Sequence, residues 1–297
     1  MDYTQVAQIL NTHVFAGDRA ALLRKVAQYP ERYLGLFRPT TPRAKLVQNL
    51  LQSHEIRFGD ALEQLLRRLL QEMGYHVFPP SEHRLVEENL ALDQFFRDAR
   101  ANHYYFIEQK VRDDHDSTKK RGQMANFEAK LEVLYQRYGP RLTGILYFID
   151  PALQKNREYY RAELQRMAAF YQGAQLHLFY GPDLFHFLGH AEVWDALLSW
   201  LARWRQEIPD FPEVNMDLDP VASFQELKAV PLRLWRKFLT HDELWQKGIA
   251  QVLFPQGTTL RYLARYFQAQ ERPPYRQLAA LILQRLEQYD DDASPAP

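Results

Sequence analysis

A run of aromatic and branched residues that ends abruptly in polar side chains constrains this chain more than any other stretch. His103-Tyr104-Tyr105-Phe106-Ile107 is followed at once by Glu108-Gln109-Lys110. Residues of the first kind suit a pleated, half-buried surface and read as a strand. Polar groups at the end of such a strand need either solvent or partners that satisfy them. Just upstream, Asn89-Leu90-Ala91-Leu92-Asp93-Gln94-Phe95-Phe96 has the same character and reads as the other member of a strand pair. Asp93 then belongs to one strand, and Glu108 and Lys110 to the next. Residues two apart on a strand project from one face, which places Lys110 beside Glu108.

Around this pair the sequence alternates between helix and strand patterns. RFGDALEQLLRRLLQEMGY sets Phe58, Leu62, Leu65, Leu66, Leu69 and Met73 on one helical face, and Gly74 is a stop. YHVF is a short apolar segment. Asp116 or Ser117 can cap a helix running to Tyr138, with Met124, Phe127, Leu131, Leu134 and Tyr138 as its apolar stripe. TGILYFID is apolar almost throughout, the pattern of a strand covered on both faces. A polar helix NREYYRAELQRMAAFYQ, a strand AQLHLFYG and the helices DLFHFLG and EVWDALLSWLARWRQEI follow. This order predicts a mixed α/β core.

The 297 residues suffice for one large domain or two ordinary ones. Residues 1–52 read as an N-terminal helical region and 53–207 as the core. Residues 208–220, with Pro209, Pro212 and Pro220, read as a linker. Residues 221–289 read as several short helices, including HDELWQKGIAQVLF, and 290–297 as a disordered tail. A hydrophobic fraction of 46% rules out wholesale disorder. Lys plus Arg and Asp plus Glu balance at 37 each, so attraction to a polyanion must come from local clustering. The absence of cysteine excludes disulfides, iron–sulfur clusters, thiolate zinc sites and a cysteine nucleophile. No apolar run approaches a membrane span and no signal-peptide pattern opens the chain, so a cytoplasmic protein is expected.

A pair of carboxylates, Asp93 and Glu108, can hold a hard cation such as Mg²⁺ through oxygen ligands. Such an ion activates a bound water and offsets charge on a phosphoryl oxygen. Lys110 reaches the same water or phosphate. Together these are the minimal equipment of metal-assisted phosphodiester hydrolysis. In VRDDHDSTKKRGQ, Asp113 and Asp114 read as a solvated loop. Lys119, Lys120 and Arg121 lie in a first helical turn, where cations oppose the macrodipole, and a docked phosphate would account for them. Gln123 reads as a support for Lys110, a DNA contact or an ordinary surface glutamine, and His115 as a structural or DNA-contacting group. His186 and His190 are four apart but lack the glutamate of a zinc helix. Trp194, Trp200 and Trp204 read as helix core. Arg233, Arg236, Lys237, Arg261, Arg265, Arg272 and Arg276 stand among aromatics, either as solvated residues of a helical region or as a surface that reads bases or dimerises.

Over roughly residues 55–181 the chain resembles the PD-(D/E)xK nuclease superfamily, and within it the type II restriction endonucleases. The resemblance rests on the helix, the Asp93 strand, the Glu108-Gln109-Lys110 strand, the next helix and the next strand. It implies that Asp93 and Glu108 bind metal and that Lys110 assists the attacking water. It also implies a further acidic residue on the preceding helix, for which Glu63 is the best match and Asp60 the next. Two positions depart from the family pattern: Leu92 precedes Asp93 where proline is usual, and Gln109 fills a normally apolar place. The resemblance further implies a mixed sheet flanked by helices, a Mg²⁺ cofactor, double-stranded DNA cut at a short specific sequence, a homodimer and a companion DNA methyltransferase. The alternatives are a repair, junction-resolving or modification-dependent nuclease of the same fold, and a non-catalytic DNA-binding protein that retains it.

Overall fold

The computed structural model describes residues 1–35, 37, 39–79, 91–114 and 116–292. Helices α1 (Tyr3–Val14), α2 (Asp18–Gln28), α3 (Glu31–Leu34) and α4 (Pro42–Glu72) precede strand β1 (His76–Val77). Strands β2 (Gln94–Asp98) and β3 (His103–Lys110) are followed by α5 (Ser117–Tyr138), β4 (Leu142–Phe148), α6 (Arg157–Phe170), β5 (Gln175–Tyr180), α7 (Asp183–Phe187) and α8 (Ala191–Glu207). The remainder is α9 (Pro220–Leu227), α10 (Leu232–Thr240), α11 (Asp242–Gln246), α12 (Ile249–Leu253), α13 (Thr258–Gln268) and α14 (Pro273–Asp292). Among the described residues no helix is long and apolar enough to cross a membrane.

The five strands lie in chain order, with β1–β2 and β2–β3 antiparallel and β3–β4 and β4–β5 parallel. The change of sense follows from the connections. A short turn joins β2 to β3, in which the Asp98 carboxylate accepts the Arg100 and Ala101 N–H groups. Asn102 there takes a left-handed φ of 51°, a conformation asparagine tolerates better than most residues. Parallel neighbours need a long crossover, and α5 and α6 supply the two. The mixed α/β class expected from the sequence is the class observed.

Each face of the sheet is covered. Phe95, Phe106, Leu142, Leu146 and Phe148 pack with Met124, Phe127, Leu131 and Leu134 of α5 and with Tyr160, Leu164 and Met167 of α6. On the other face Tyr147 meets Leu62, Leu65, Leu66 and Leu69 of α4, with Phe185 and Leu197. Every residue of β4 is buried, which explains its unbroken apolar run.

The chain forms two compact units: Met1–His13 with Arg57–Ile208, which carries the sheet, and Val14–Ile56 with Pro209–Pro297, which is helical. The segment 1–52 is therefore shared between units rather than forming a region of its own. One reason is that α4 is a single helix, lending residues 42–56 to the helical unit and 57–72 to the sheet unit. No proline interrupts it after Pro42, and its one glycine, Gly59, costs only about 1 kcal/mol in a helix interior. Part of the expected linker belongs to the helical unit's core: Val214 and Met216 are buried, and buried Asp217 accepts the Gln256 and Thr259 N–H groups. HDELWQKGIAQVLF is two helices, because Gly248 at φ 79° interrupts it. Residues 290–292 complete α14 rather than opening a disordered tail, and 293–297 lie outside the described residues.

Gly144 of β4 permits a close approach inside the sheet itself. A Cβ there would sit 2.7 Å from Cε1 of Phe106 and 3.0 Å from Cδ2 of Leu176. Gly144→Ala should therefore overpack the α5 side of the sheet and cost about 1–3 kcal/mol. Urea unfolding of the two proteins measures it; equal midpoints would show that the ring moves aside freely.

Candidate active site

The site grows out of the β2–β3 register. The ladder pairs Gln94 with Ile107, so Asp93 falls opposite Glu108, one step past the last pair. Asp93 is thus at a bend leading into β2, not on the strand itself. Its Oδ2 accepts the Gln109 backbone N–H at 2.8 Å. Helix α4 grips the same corner from the other face: Arg67 Nη2 donates to the Asp93 carbonyl at 2.9 Å, and Gln94 Nε2 donates to the Glu63 carbonyl at 2.7 Å.

Lys110 Nζ sits among oxygens, 2.8 Å from the Gln109 carbonyl, 2.9 Å from Glu108 Oε1 and 3.4 Å from Asp93 Oδ2. The other oxygen of Glu108, Oε2, is 2.5 Å from Nζ of Lys130 on α5. Asn126 Nδ2 lies 3.4 Å from Oε1. Glu108 and Lys130 are each 3% exposed, whereas the Lys110 side chain is 32% exposed.

Charge and burial compete at each group. Burial, then the nearby Asp93 carboxylate, pushes Glu63 up to about 7 against the pull of Lys110. Burial and the Glu108 charge likewise raise Asp93 above the usual carboxylate range. Burial works against the charge on Glu108 too, but Lys110 and Lys130 outweigh it and hold its carboxyl below its ordinary value. Burial would lower Lys110, yet Glu108 and Asp93 overcome it and keep the ammonium above the lysine norm.

The donor set fits a hard cation. The Lys110 ammonium occupies a cradle made of two carboxylate oxygens and one peptide carbonyl, each a hard ligand. Among the described residues no three His, Cys, Asp or Glu side chains form a closed cage. Mg²⁺ needs none, since it keeps several waters and uses one or two carboxylates with substrate phosphates.

The remaining sequence candidates are placed unequally. Lys119 and Arg121 are exposed on the first turns of α5, and Lys120 lies with Nζ 4.5 Å from the centre of the Tyr159 ring. Asp116 caps this helix and accepts the Thr118 and Lys119 N–H groups at 3.1 and 2.8 Å. Those donors are therefore already engaged, and the capping carboxylate offsets the lysines beside it. Gln123 is buried and accepts the Tyr160 O–H at 2.9 Å, so it supports the α5–α6 packing and does not face DNA. His115 lies outside the described residues. Asp60 lies near enough to Glu63 to raise it further. Trp194 and Trp204 are core, as expected, and Trp200 is half-buried. In the helical unit Arg236 donates to Gln277, Lys237 to the Gln28 carbonyl and Arg261 to the Gln256 carbonyl, while Arg233, Arg265, Arg272 and Arg276 are exposed.

Asp113 overturns its reading as a solvated residue. It is fully buried, accepts the Asn156 N–H at 2.8 Å, Asn156 Nδ2 at 2.8 Å and the Tyr180 O–H at 3.0 Å, and pairs with Gln154 in an isolated bridge. The loop after β3 is thereby bound to the loop after β4. Asp114 is exposed. Burial, with the Asp113 carboxylate next, raises the Tyr180 and Tyr160 phenols above the tyrosine norm. Burial likewise raises that of Tyr147, which donates to the Gly181 carbonyl at 3.0 Å.

Residues 75–205 match the family model of HinfI, a type II restriction endonuclease. Over this segment, less than half of its length, the chain is similar to that family. No curated protein matches the chain. The HinfI family comprises site-specific deoxyribonucleases, and the PD-(D/E)xK resemblance and the α/β class agree with it. The HinfI-type segment contains Asp93, Glu108, Lys110 and Lys130; Glu63, on α4, lies before it. Lys130 and Asn126 were missed in the sequence. The signal was there: Lys130 interrupts the buried stripe of α5 beside Phe127 and Leu131, and a lysine so placed requires a partner.

The Asp113 cluster has a measurable weight. Asp113→Ala leaves the Asn156 and Tyr180 donors unmatched in the interior and should cost about 3 kcal/mol. Chemical denaturation followed by circular dichroism reads the loss; a change within about 0.5 kcal/mol would mean that water replaces the carboxylate.

Proposed function

We propose that the chain is a Mg²⁺-dependent type II restriction endonuclease that hydrolyses both strands of duplex DNA at a short specific sequence. One observation carries this reading: within a HinfI-type segment, the Lys110 ammonium rests in an oxygen cradle formed by Asp93, Glu108 and the Gln109 carbonyl. In this reading Asp93 and Glu108 hold the cation, helped by the Gln109 carbonyl. Bound there, the ion lowers the pKa of a water and offsets charge on a phosphoryl oxygen.

The protein's own groups divide the remaining work. Lys110 is held as an ammonium, so it donates hydrogen bonds: it orients the attacking water and balances charge gathering on the phosphate. It is partly exposed and free to turn from the carboxylates toward substrate. Glu63 contributes a further carboxylate from α4. Arg67 and Gln94 hold the corner in place through backbone carbonyls. Lys119, Lys120 and Arg121 meet phosphates, contacts that position the duplex but carry no sequence information directly. The exposed Arg233, Arg265, Arg272 and Arg276 of the helical unit read bases or form a dimer surface. One such site cuts one strand, so a homodimer acts on the duplex, in the cytoplasm, with a companion DNA methyltransferase protecting the host.

Asp93→Ala, Glu108→Ala and Lys110→Ala should each reduce cleavage of plasmid DNA by at least about a thousandfold while leaving the fold cooperative. EDTA should abolish wild-type cutting and Mg²⁺ should restore it. Discrete fragments from unmodified plasmid identify a sequence-specific enzyme. Wild-type rates in the three folded variants, or full activity in excess EDTA, would sink the assignment.

A further inference from the structure

Glu108 is held by two ammonium groups, and only one of them can leave. Lys110 is partly exposed at the end of β3. Lys130 is buried on α5, on the stripe that holds Phe127, Leu131 and Leu134, with its ammonium 2.5 Å from Glu108 Oε2. Turning Lys130 away would strand an ammonium among hydrocarbon. Lys130 is thus a fixed charge, not a contact for DNA.

We infer that Lys130 is a positioning residue for cleavage: it commits Oε2 of Glu108, leaves Oε1 alone for the cation, and weakens divalent-ion binding until a DNA phosphate joins the site. This rests on the nuclease reading above. A carboxylate with one oxygen bonded to a buried ammonium cannot chelate through both. A positive charge fixed across that carboxylate also repels a dication on its near side. The substrate phosphate brings the negative charge that offsets this repulsion, and Mg²⁺ is commonly completed by substrate phosphates. Lys130 thereby couples metal occupancy to the presence of DNA, and Lys110 is the group the cation displaces.

The test uses the full chain without DNA and Mn²⁺ as the probe, with free Mn²⁺ read by electron paramagnetic resonance. Lys130→Gln keeps an N–H donor for Oε2 but removes the charge. It should bind Mn²⁺ at least about tenfold more tightly than wild type. It should also need less metal for half-maximal plasmid cleavage while its maximal rate falls. Lys130→Arg, which keeps the charge, should retain wild-type Mn²⁺ affinity. Unchanged or weaker Mn²⁺ binding in a cooperatively melting Lys130→Gln protein overturns the inference. Should that variant not fold, Lys130→Met, which also removes the charge, decides: tighter Mn²⁺ binding upholds the inference, and unchanged or weaker binding overturns it. Asp93→Ala separates the two readings. If it binds Mn²⁺ and cuts DNA like wild type, the nuclease site itself is misassigned, whatever Lys130 does.

Discussion

Strand β3 bonds antiparallel to β2 along one edge and parallel to β4 along the other, and these two ladders set where each charged group at its end must lie. The first ladder brings Asp93 opposite Glu108. The second pairs Glu108 with Leu146 and Lys110 with Phe148, and continues past the strand as Ile149 donates to the Lys110 carbonyl and Asp150 to the Val111 carbonyl. A slip of one residue in either ladder would turn Glu108 and Lys110 to the face covered by α4. The apolar pattern forbids it, because Phe106 and Leu146 would leave their places against α5 in the same movement.

The corner so built is unusually dense in charge for a buried place. Three carboxylates and two ammonium groups meet there, and their balance is close. Glu63 and Asp93 are pushed toward the protonated form while Glu108 is held ionised. An apolar substitute would pack as well and cost less, so this arrangement is one that stability alone does not explain. A site that must receive a cation and a phosphate diester has reason to keep opposite charges side by side, ready to exchange internal partners for external ones.

Much of the sheet unit was legible in the sequence. Aromatic and branched runs marked β2 and β3, apolar runs marked β4 and β5, and Asp116 or Ser117 marked the start of α5, because these signals are local. That Glu108 and Lys110 share one face of β3 followed from spacing alone, whereas Asp93, read as a strand residue, stands at the bend before β2. What escaped depended on contacts distant in sequence. Asp113 stands in a charged loop, and only Asn156 and Tyr180, far along the chain, make it a buried residue. Gln123 looked like a surface side chain until Tyr160 of α6 covered it. Lys130 could have been found, since it breaks an otherwise apolar stripe, but its partner lies twenty-two positions back on β3. The continuity of α4 was obscured because its buried face changes along its length, from Leu46 and Leu50 in the helical unit's core to Leu62 through Leu70 in the other.

Three tyrosine phenols, two of them beside Asp113, give the sheet unit an optical signature. Tyr147, Tyr160 and Tyr180 are all held above the ordinary tyrosine value, so the folded protein keeps protons that an unfolded chain gives up near about pH 10. The stability this linkage supplies is whole below that pH and drains as the pH climbs toward the folded values. Phenolate absorbs in the near ultraviolet where phenol does not. In alkali these rings therefore stay dark while the loops after β3 and β4 remain joined, and the absorbance step they produce marks the moment the sheet opens.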